Sequence, residues 1–385
     1  MLQELASIPL LDVAFFSFLF LVFHTYVGYP LLLMVWGMGK SATPVRVYAN
    51  PKVTIVIAAW NEARHIAARI DNCLQQIYPS EMLEIVVVSD GSTDETSSIV
   101  RSFTSKGVSL VELETRMGKA VALNVGVAAA HGEIVVFADA RQSFSPTAVR
   151  ELVANFADAS VGAVSGELIL ESNSAGPTAE GVGLYWTIEK WIRQKEAAID
   201  SIVGATGAIY AIRRDLFEAL PPGTILDDLL TPMRIVMQGY RVVFEGRALA
   251  FDRVAHDYSS EFKRKVRTLA GNYQAISFCP RLMKPWANRI FLQFVSHKVF
   301  RLMAPIALVG LFVTNAVHLG GWFTIFMALQ ITGYSLAIVG WWLNRVGVRE
   351  RLTGAAFTFC LLNYASLMGA VQFLKAEVVQ WEKAN

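Results

Sequence analysis

Residues 132–146 read GEIVVFADARQSFSP, and the first half of that stretch decides how the chain is built. Ile134 to Phe137 is an unbroken β-branched and aromatic run with no polar alternation. A parallel strand buried on both faces has that composition, and ligands in such sheets sit beyond the carboxyl ends of the strands. Asp139, two residues past the run, is therefore expected where a substrate would lie. Pro146 suits the first turn of a helix, which puts the acid in a strand-to-helix connection of a βαβ unit. Aspartate is also an ordinary turn residue, so this position alone leaves a purely structural role equally open.

Working outward, residues 53 to about 253 alternate strand-like and helix-like segments at short spacing, the pattern of an α/β layered domain. Strands are expected at 53–58, 85–89, 163–170 and 242–244. Asn61 is placed to cap a helix over 62–76. The second strand runs into SDGSTDET, where Asp90 and Gly91 make a turn and Thr93 or Asp94 caps a helix ending near Phe103. The alanine-rich segment 118–131 reads as another helix and carries Lys119 near its start. There is no internal repeat and no low-complexity linker, so this part reads as one domain.

The ends are different. The whole chain is 54% hydrophobic and only 17% charged, more apolar than an average soluble domain, and the surplus lies in four runs. Residues 8–38 are apolar for longer than the roughly 20 residues that cross a bilayer, and they lack a basic leader, so a retained helix is expected. Runs at 299–319, 322–343 and 352–374 follow. Lys40, Arg46 and Lys52 after the first run, and Arg345, Arg349 and Arg351 between the last two, place those loops in the cytoplasm. Both termini, with Glu4 and Asp12 at one of them, are then outside and the central domain is cytosolic, on the inner cell membrane.

Between the domain and the second run, residues 261–298 mix Lys263, Arg264, Lys265, Arg267 and Arg281 with Phe262, Phe278, Trp286 and Phe291. That pattern suits helices lying in the headgroup plane, and equally an amphipathic helix on the soluble domain. The division expected is residues 1–40, 41–260, 261–298 and 299–385. A formal net charge of +2 without a basic aromatic patch gives no support for a nucleic-acid partner. Cys73, Cys279 and Cys360 are odd in number and far apart, as in a reducing compartment without disulfides or structural zinc.

Three acidic sites stand at expected strand ends: Asp90, Asp139, and Asp227 with Asp228 in TILDDLLTPMRI. With VTIVIAAWNEARHI at the first strand, their order resembles the family 2 glycosyltransferases. These are inverting enzymes of the GT-A fold, and the flanking helices resemble the membrane-embedded branch that includes cellulose, hyaluronan and poly-N-acetylglucosamine synthases. The resemblance covers about residues 52–274. It implies a nucleotide-diphosphate sugar donor, UDP-linked, contacted by Asp90, Asp139, Arg141, Lys119, Arg264 and Arg267. It also implies Mg²⁺ or Mn²⁺ at Asp139, although the second acid of the family's Asp-x-Asp motif is here Arg141.

By the same resemblance Asp227 and Asp228 are the catalytic pair, with Asp228 as general base, and Gly204, Thr206 and Gly207 in GATGAIYAIRR line the acceptor side. The acceptor is a polysaccharide or a lipid-linked sugar. A bland role for the pair is a helix N-cap. Arg264 and Thr268 stand where the synthases have Gln and Trp in their Gln-x-x-Arg-Trp signature, which removes the aromatic platform for a growing polymer. An alternative from another class is a membrane receptor or transport partner whose α/β domain only senses a nucleotide; it would have no use for a base at position 228.

Overall fold

The computed structural model describes residues 10–38, 42–171, 177–253, 258–318, 320–348 and 350–375. Lys40, Arg349 and Glu4 lie outside these residues. The central domain is built on one eight-stranded mixed sheet in the order β3-β2-β1-β4-β7-β6-β8-β5. The strands are β1 Val53–Ala59, β2 Leu83–Asp90, β3 Val108–Leu113, β4 Ile134–Asp139, β5 Ser143–Phe144, β6 Val161–Glu171, β7 Ile209–Arg213 and β8 Arg241–Arg253. β1 pairs parallel with both β2 and β4, and Ala58 lies opposite Asp139 in the β1–β4 register.

The apolar run of β4 is buried as its composition requires: Ile134 to Phe137 are all at most 2% exposed. Alternate residues serve opposite faces. Ile55, Ile57 and Val136 pack under α2 (Ile66–Leu74) and α5 (Ala148–Val153), while Val56, Val88 and Val135 face α4 (Lys119–Ala129) and α7 (Asp227–Met237). Each such side chain contributes about 1.5–3 kcal/mol of transfer free energy. These helices, with α3 (Thr96–Arg101) on the α2 side, make the three-layer α/β arrangement.

Several local expectations shift. Asn61 does not cap a helix at 62: α2 begins at Ile66, and Asn61 sits at φ 52° with its Oδ1 accepting from Thr93 N at 2.7 Å and Asp94 N at 3.3 Å. The amide thus ties the first loop to the second. Asp139 ends its strand as expected, but Pro146 follows a short edge strand, β5, paired with β8, before α5 begins. The neighbour of β4 on the far side is β7, antiparallel, inserted between β4 and β6. A long helix, α6 (Pro177–Ile199), links β6 to the loop before β7 and was not anticipated.

Outside the sheet lie α1 (Leu10–Trp36), α8 (Tyr258–Phe278), α9 (Phe291–Val317), α10 (Trp322–Arg345) and α11 (Arg351–Leu374). Four of them, α1, α9, α10 and α11, are long and apolar enough to cross a membrane. The boundary at 299 moves: α9 starts at Phe291, so 291–298 belongs to the apolar helix and only α8 with a 3-10 turn at Pro280–Met283 fills the intervening segment. α8 packs on α11, α1 on α9, and α6 on both α1 and α11, so the sheet domain and the apolar helices share contacts.

Candidate active site

The carboxyl ends of β1, β2 and β4 open on one side of the sheet. β2 delivers Asp90, which is fully buried; its Oδ1 accepts from Met117 N at 2.7 Å and its Oδ2 from Gly118 N at 2.9 Å. With both oxygens taken by backbone N–H groups, Asp90 anchors the turn that launches α4.

That turn delivers Lys119. Its Nζ lies 3.0 Å from Asp139 Oδ1 and 3.1 Å from Asp227 Oδ1, bridging β4 to the first residue of α7. Burial alone would depress the ammonium, but Asp139, Asp227 and Asp228 outweigh it and hold the group above its ordinary range. Asp227 is 4% exposed, and Tyr210 Oη donates to its other oxygen at 3.0 Å. Its lone pairs are committed to the protein.

Asp228 is differently placed. Gly207 N donates to Oδ2 at 3.0 Å and Ala205 N to its carbonyl at 2.7 Å, while Oδ1 has no hydrogen-bond partner among the described residues. Burial, then the neighbouring Asp227 charge, pushes its pKa up to about 6, and Lys119 and Lys298 pull the other way. A carboxylate with one oxygen oriented by the backbone, the other open, and proton affinity near neutrality is suited to accept a proton.

The loop that holds it explains its small residues. Gly204 adopts φ 87°, a conformation that favours glycine, and a Cβ at position 207 would lie 2.9 Å from Asp228 Oδ2. The smallness at Gly207 thus makes room for the Asp228 carboxylate. Thr206, buried, receives a hydrogen bond from the Arg193 guanidinium of α6 and donates its own N–H to Ser165 Oγ at 3.0 Å.

Arg141 is half-buried beside Asp139, with Nε donating to Glu62 Oε1 at 3.2 Å. Glu62 is itself buried and unforeseen, as is the stack of Arg116 over Trp60 at 3.6 Å on the rim of the first loop. Arg267, on α8, feels the charges of Asp139, Asp228 and Asp227, so α8 brings it to the same opening; burial nevertheless lowers its pKa. Arg264 lies one turn earlier, exposed. Glu62 and Tyr210 fall within VTIVIAAWNEARHI and GATGAIYAIRR without a role assigned to them there, and Arg193 lies outside both, because each acts through a partner that the local sequence does not reveal.

No group of three or more His, Cys, Asp or Glu converges as a metal set among the described residues. Asp139 has only one oxygen held by Lys119, and its side chain is 32% exposed. A single carboxylate fits a divalent ion that takes its remaining ligands from phosphate and water.

The sheet is of the GT-A type, and sequence comparison gives the family. Residues 54–220 match the model "Glycosyl transferase family 2", and the chain carries a family 2 glycosyltransferase domain. It is 26% identical over 309 residues to "Probable glycosyltransferase YdaM" of Bacillus subtilis, covering 76% of this chain and 70% of that one. It is 24% identical over 229 residues to the poly-beta-1,6-N-acetyl-D-glucosamine synthase of Staphylococcus epidermidis, covering 58% of this chain and 55%, about half, of the synthase. A solved mannosyltransferase, PcManGT from Pyrobaculum calidifontis in complex with GDP-Man and Mn²⁺, superposes with TM-score 0.76 at 24% identity. The match spans 96% of this chain and all of that one, a likeness of fold that includes the helices outside the sheet.

Proposed function

We propose that the chain is a membrane-embedded inverting glycosyltransferase that moves a sugar from a UDP-linked donor to a polysaccharide or lipid-linked acceptor. The observation that carries this reading is the division of labour among three acids. Lys119 engages Asp139 and Asp227, Tyr210 takes the other oxygen of Asp227, and Asp228, oriented by the backbone through one oxygen with the other open among the described residues, has its pKa raised to about 6.

In this mechanism the acceptor hydroxyl approaches from the side of the 204–207 loop. Asp228 Oδ1 takes its proton as the acceptor oxygen bonds to the anomeric carbon and the bond from that carbon to the diphosphate breaks on the opposite face. The leaving group acquires negative charge, which Arg141 and Arg267 meet in this mechanism, Arg in particular offering two-pronged donation to phosphate. Mg²⁺ or Mn²⁺, held through Asp139 and the donor's phosphate oxygens, would neutralise part of that charge. Lys119 pairs with Asp227 at the start of α7 and so holds that helix in register beside the base.

The four apolar helices support a multi-pass protein whose sheet domain faces the cytoplasm, where nucleotide sugars are made, with α8 along the boundary. A nucleotide sensor would not require a backbone-oriented base, and nothing in the site favours that reading. The test is to incubate membranes containing the full chain with UDP- and GDP-sugars and measure nucleoside diphosphate release. Transfer from at least one donor, lost in Asp228→Asn, is expected; no release from any donor would end the proposal.

A further inference from the structure

Behind the acceptor loop, where α6 meets α1 and α9, lies a second polar cluster that the mechanism does not use. Fully buried His297 has Nδ1 2.7 Å from Glu196 Oε1 and Nε2 2.8 Å from Glu189 Oε1. Tyr29 Oη donates to Glu196 Oε1 at 2.5 Å, Val203 N donates to Glu196 Oε2 at 3.3 Å, and Arg301 Nη1 donates to Glu189 Oε2 at 2.8 Å. Every oxygen of the two carboxylates is therefore already occupied.

Three fixed cations face those two carboxylates. Arg301 is paired to Glu189; Arg193 has Nε at 4.0 Å from Glu189 Oε1, the outer limit of an ion pair, and turns Nη1 to Thr206. Lys298 makes neither a hydrogen bond nor an ion pair with any described residue, although it is half-buried and its charge acts on Glu189, Glu196 and Asp228. A partly buried ammonium with no partner is costly unless an anion completes it. His297 and Lys298 both fall in a π-helical turn, Val295–Val299, and such turns in α-helices are frequent at functional sites.

We propose that Arg193, Lys298 and Arg301 form a subsite for a phosphate group on the acceptor, and that this phosphate is the headgroup of a membrane lipid. Lys298 and Arg301 lie on α9, a helix of spanning length that also exposes Leu292, Met303, Ile306 and Val309, apolar contacts for a hydrocarbon chain. The subsite abuts Thr206, whose neighbour Gly207 holds the base. The proposal rests on the glycosyltransferase reading and narrows it. A phosphate oxygen is already ionised and would need no general base, so the phosphate is a handle. The hydroxyl that Asp228 deprotonates sits on a sugar linked to it.

Direct binding to the full chain in detergent tests this, with farnesyl phosphate, farnesol and inorganic phosphate as probes. Farnesyl phosphate is expected to bind, and the other two to bind at least about tenfold more weakly, the scale of a lost charge-assisted contact. Lys298→Gln should weaken farnesyl phosphate about tenfold or more while Lys298→Arg retains it. Lys298→Met, equal in length and compatible with an apolar helix, is the second neutral variant should the first misfold. Equal affinity for farnesol, equal affinity for inorganic phosphate, or unchanged binding in the folded neutral variants would each overturn the proposal. UDP and GDP binding, measured in parallel, reports on the donor side independently, so failure of the glycosyltransferase reading is distinguishable from failure of this one.

Discussion

The backbone N–H of Gly207 donates to Asp228 Oδ2 at 3.0 Å, and any Cβ at position 207 would come within 2.9 Å of the same oxygen. The loop and the base are thus fitted to each other with no room to spare. Gly207→Ala is expected to push the carboxylate aside and lower turnover by about 10 to 10²-fold, since misplacement by around an ångström costs that much. Donor KM should stay near its original value. Steady-state kinetics with varied donor checks both, and unchanged kcat would show that the carboxylate position does not limit the reaction.

Asp228→Asn removes the proton acceptor while keeping the Gly207 contact. Turnover should fall by about 10² to 10⁴, the usual contribution of a general base, with nucleotide binding retained. Near-wild-type turnover would rule out Asp228 as the base.

The pH dependence follows from burial and from Asp227, which raise Asp228 to about 6. Below that pH the carboxyl is protonated and cannot accept a proton, so kcat/KM should fall as pH drops through about 6 and level off above it. The Lys119 charge favours the ionised carboxylate, so Lys119→Met should move the acid limb of the profile to higher pH. A limb that stays in place or moves to lower pH in that variant would contradict the assignment.

Lys119→Met also leaves Asp227 buried without its cation. Breaking a buried pair by removing one partner typically costs about 3–5 kcal/mol; exposure of Asp139 on the other side lets water offset part of that. Chemical denaturation should show lowered stability, and the double variant Lys119→Met with Asp227→Asn should recover part of it. Additive losses would mean that the two groups are not coupled.

Divalent metal should enter through Asp139. EDTA is expected to abolish transfer and Mn²⁺ or Mg²⁺ to restore it, and Asp139→Asn should weaken Mn²⁺-dependent nucleotide binding measured by calorimetry. Full activity in excess EDTA would assign the whole diphosphate contact to protein cations such as Arg141 and Arg267.

Much of the domain was legible in the chain. The β4 run, the four apolar helices and Asp90 and Asp139 at strand ends follow from local composition, because burial on both faces of a strand or along a bilayer-length helix leaves its mark on consecutive residues. Asp227 and Asp228, expected at a strand end, instead open α7. Other features had no local signature. α6 was missed, and with it Glu189, Arg193 and Glu196, and the insertion of β7 antiparallel to β4 follows from pairing between distant segments. Asn61 looked like a helix cap, since its side chain has the right chemistry, yet its amide is used to join two loops.

By itself, then, the sequence determined that this chain has an α/β sheet with Asp90 and Asp139 at strand ends and four helices that can span a bilayer. Only the tertiary structure decided what each carboxylate does. Asp90, Asp139, Asp227 and Asp228 are the same chemical kind and equally plausible in a string of letters. Folding brings two backbone N–H groups onto Asp90, Lys119 between Asp139 and Asp227, and Gly207 onto one oxygen of Asp228. Proton affinity depends on burial and on neighbouring charge, and both are properties of positions in space that residues far apart along the chain create together.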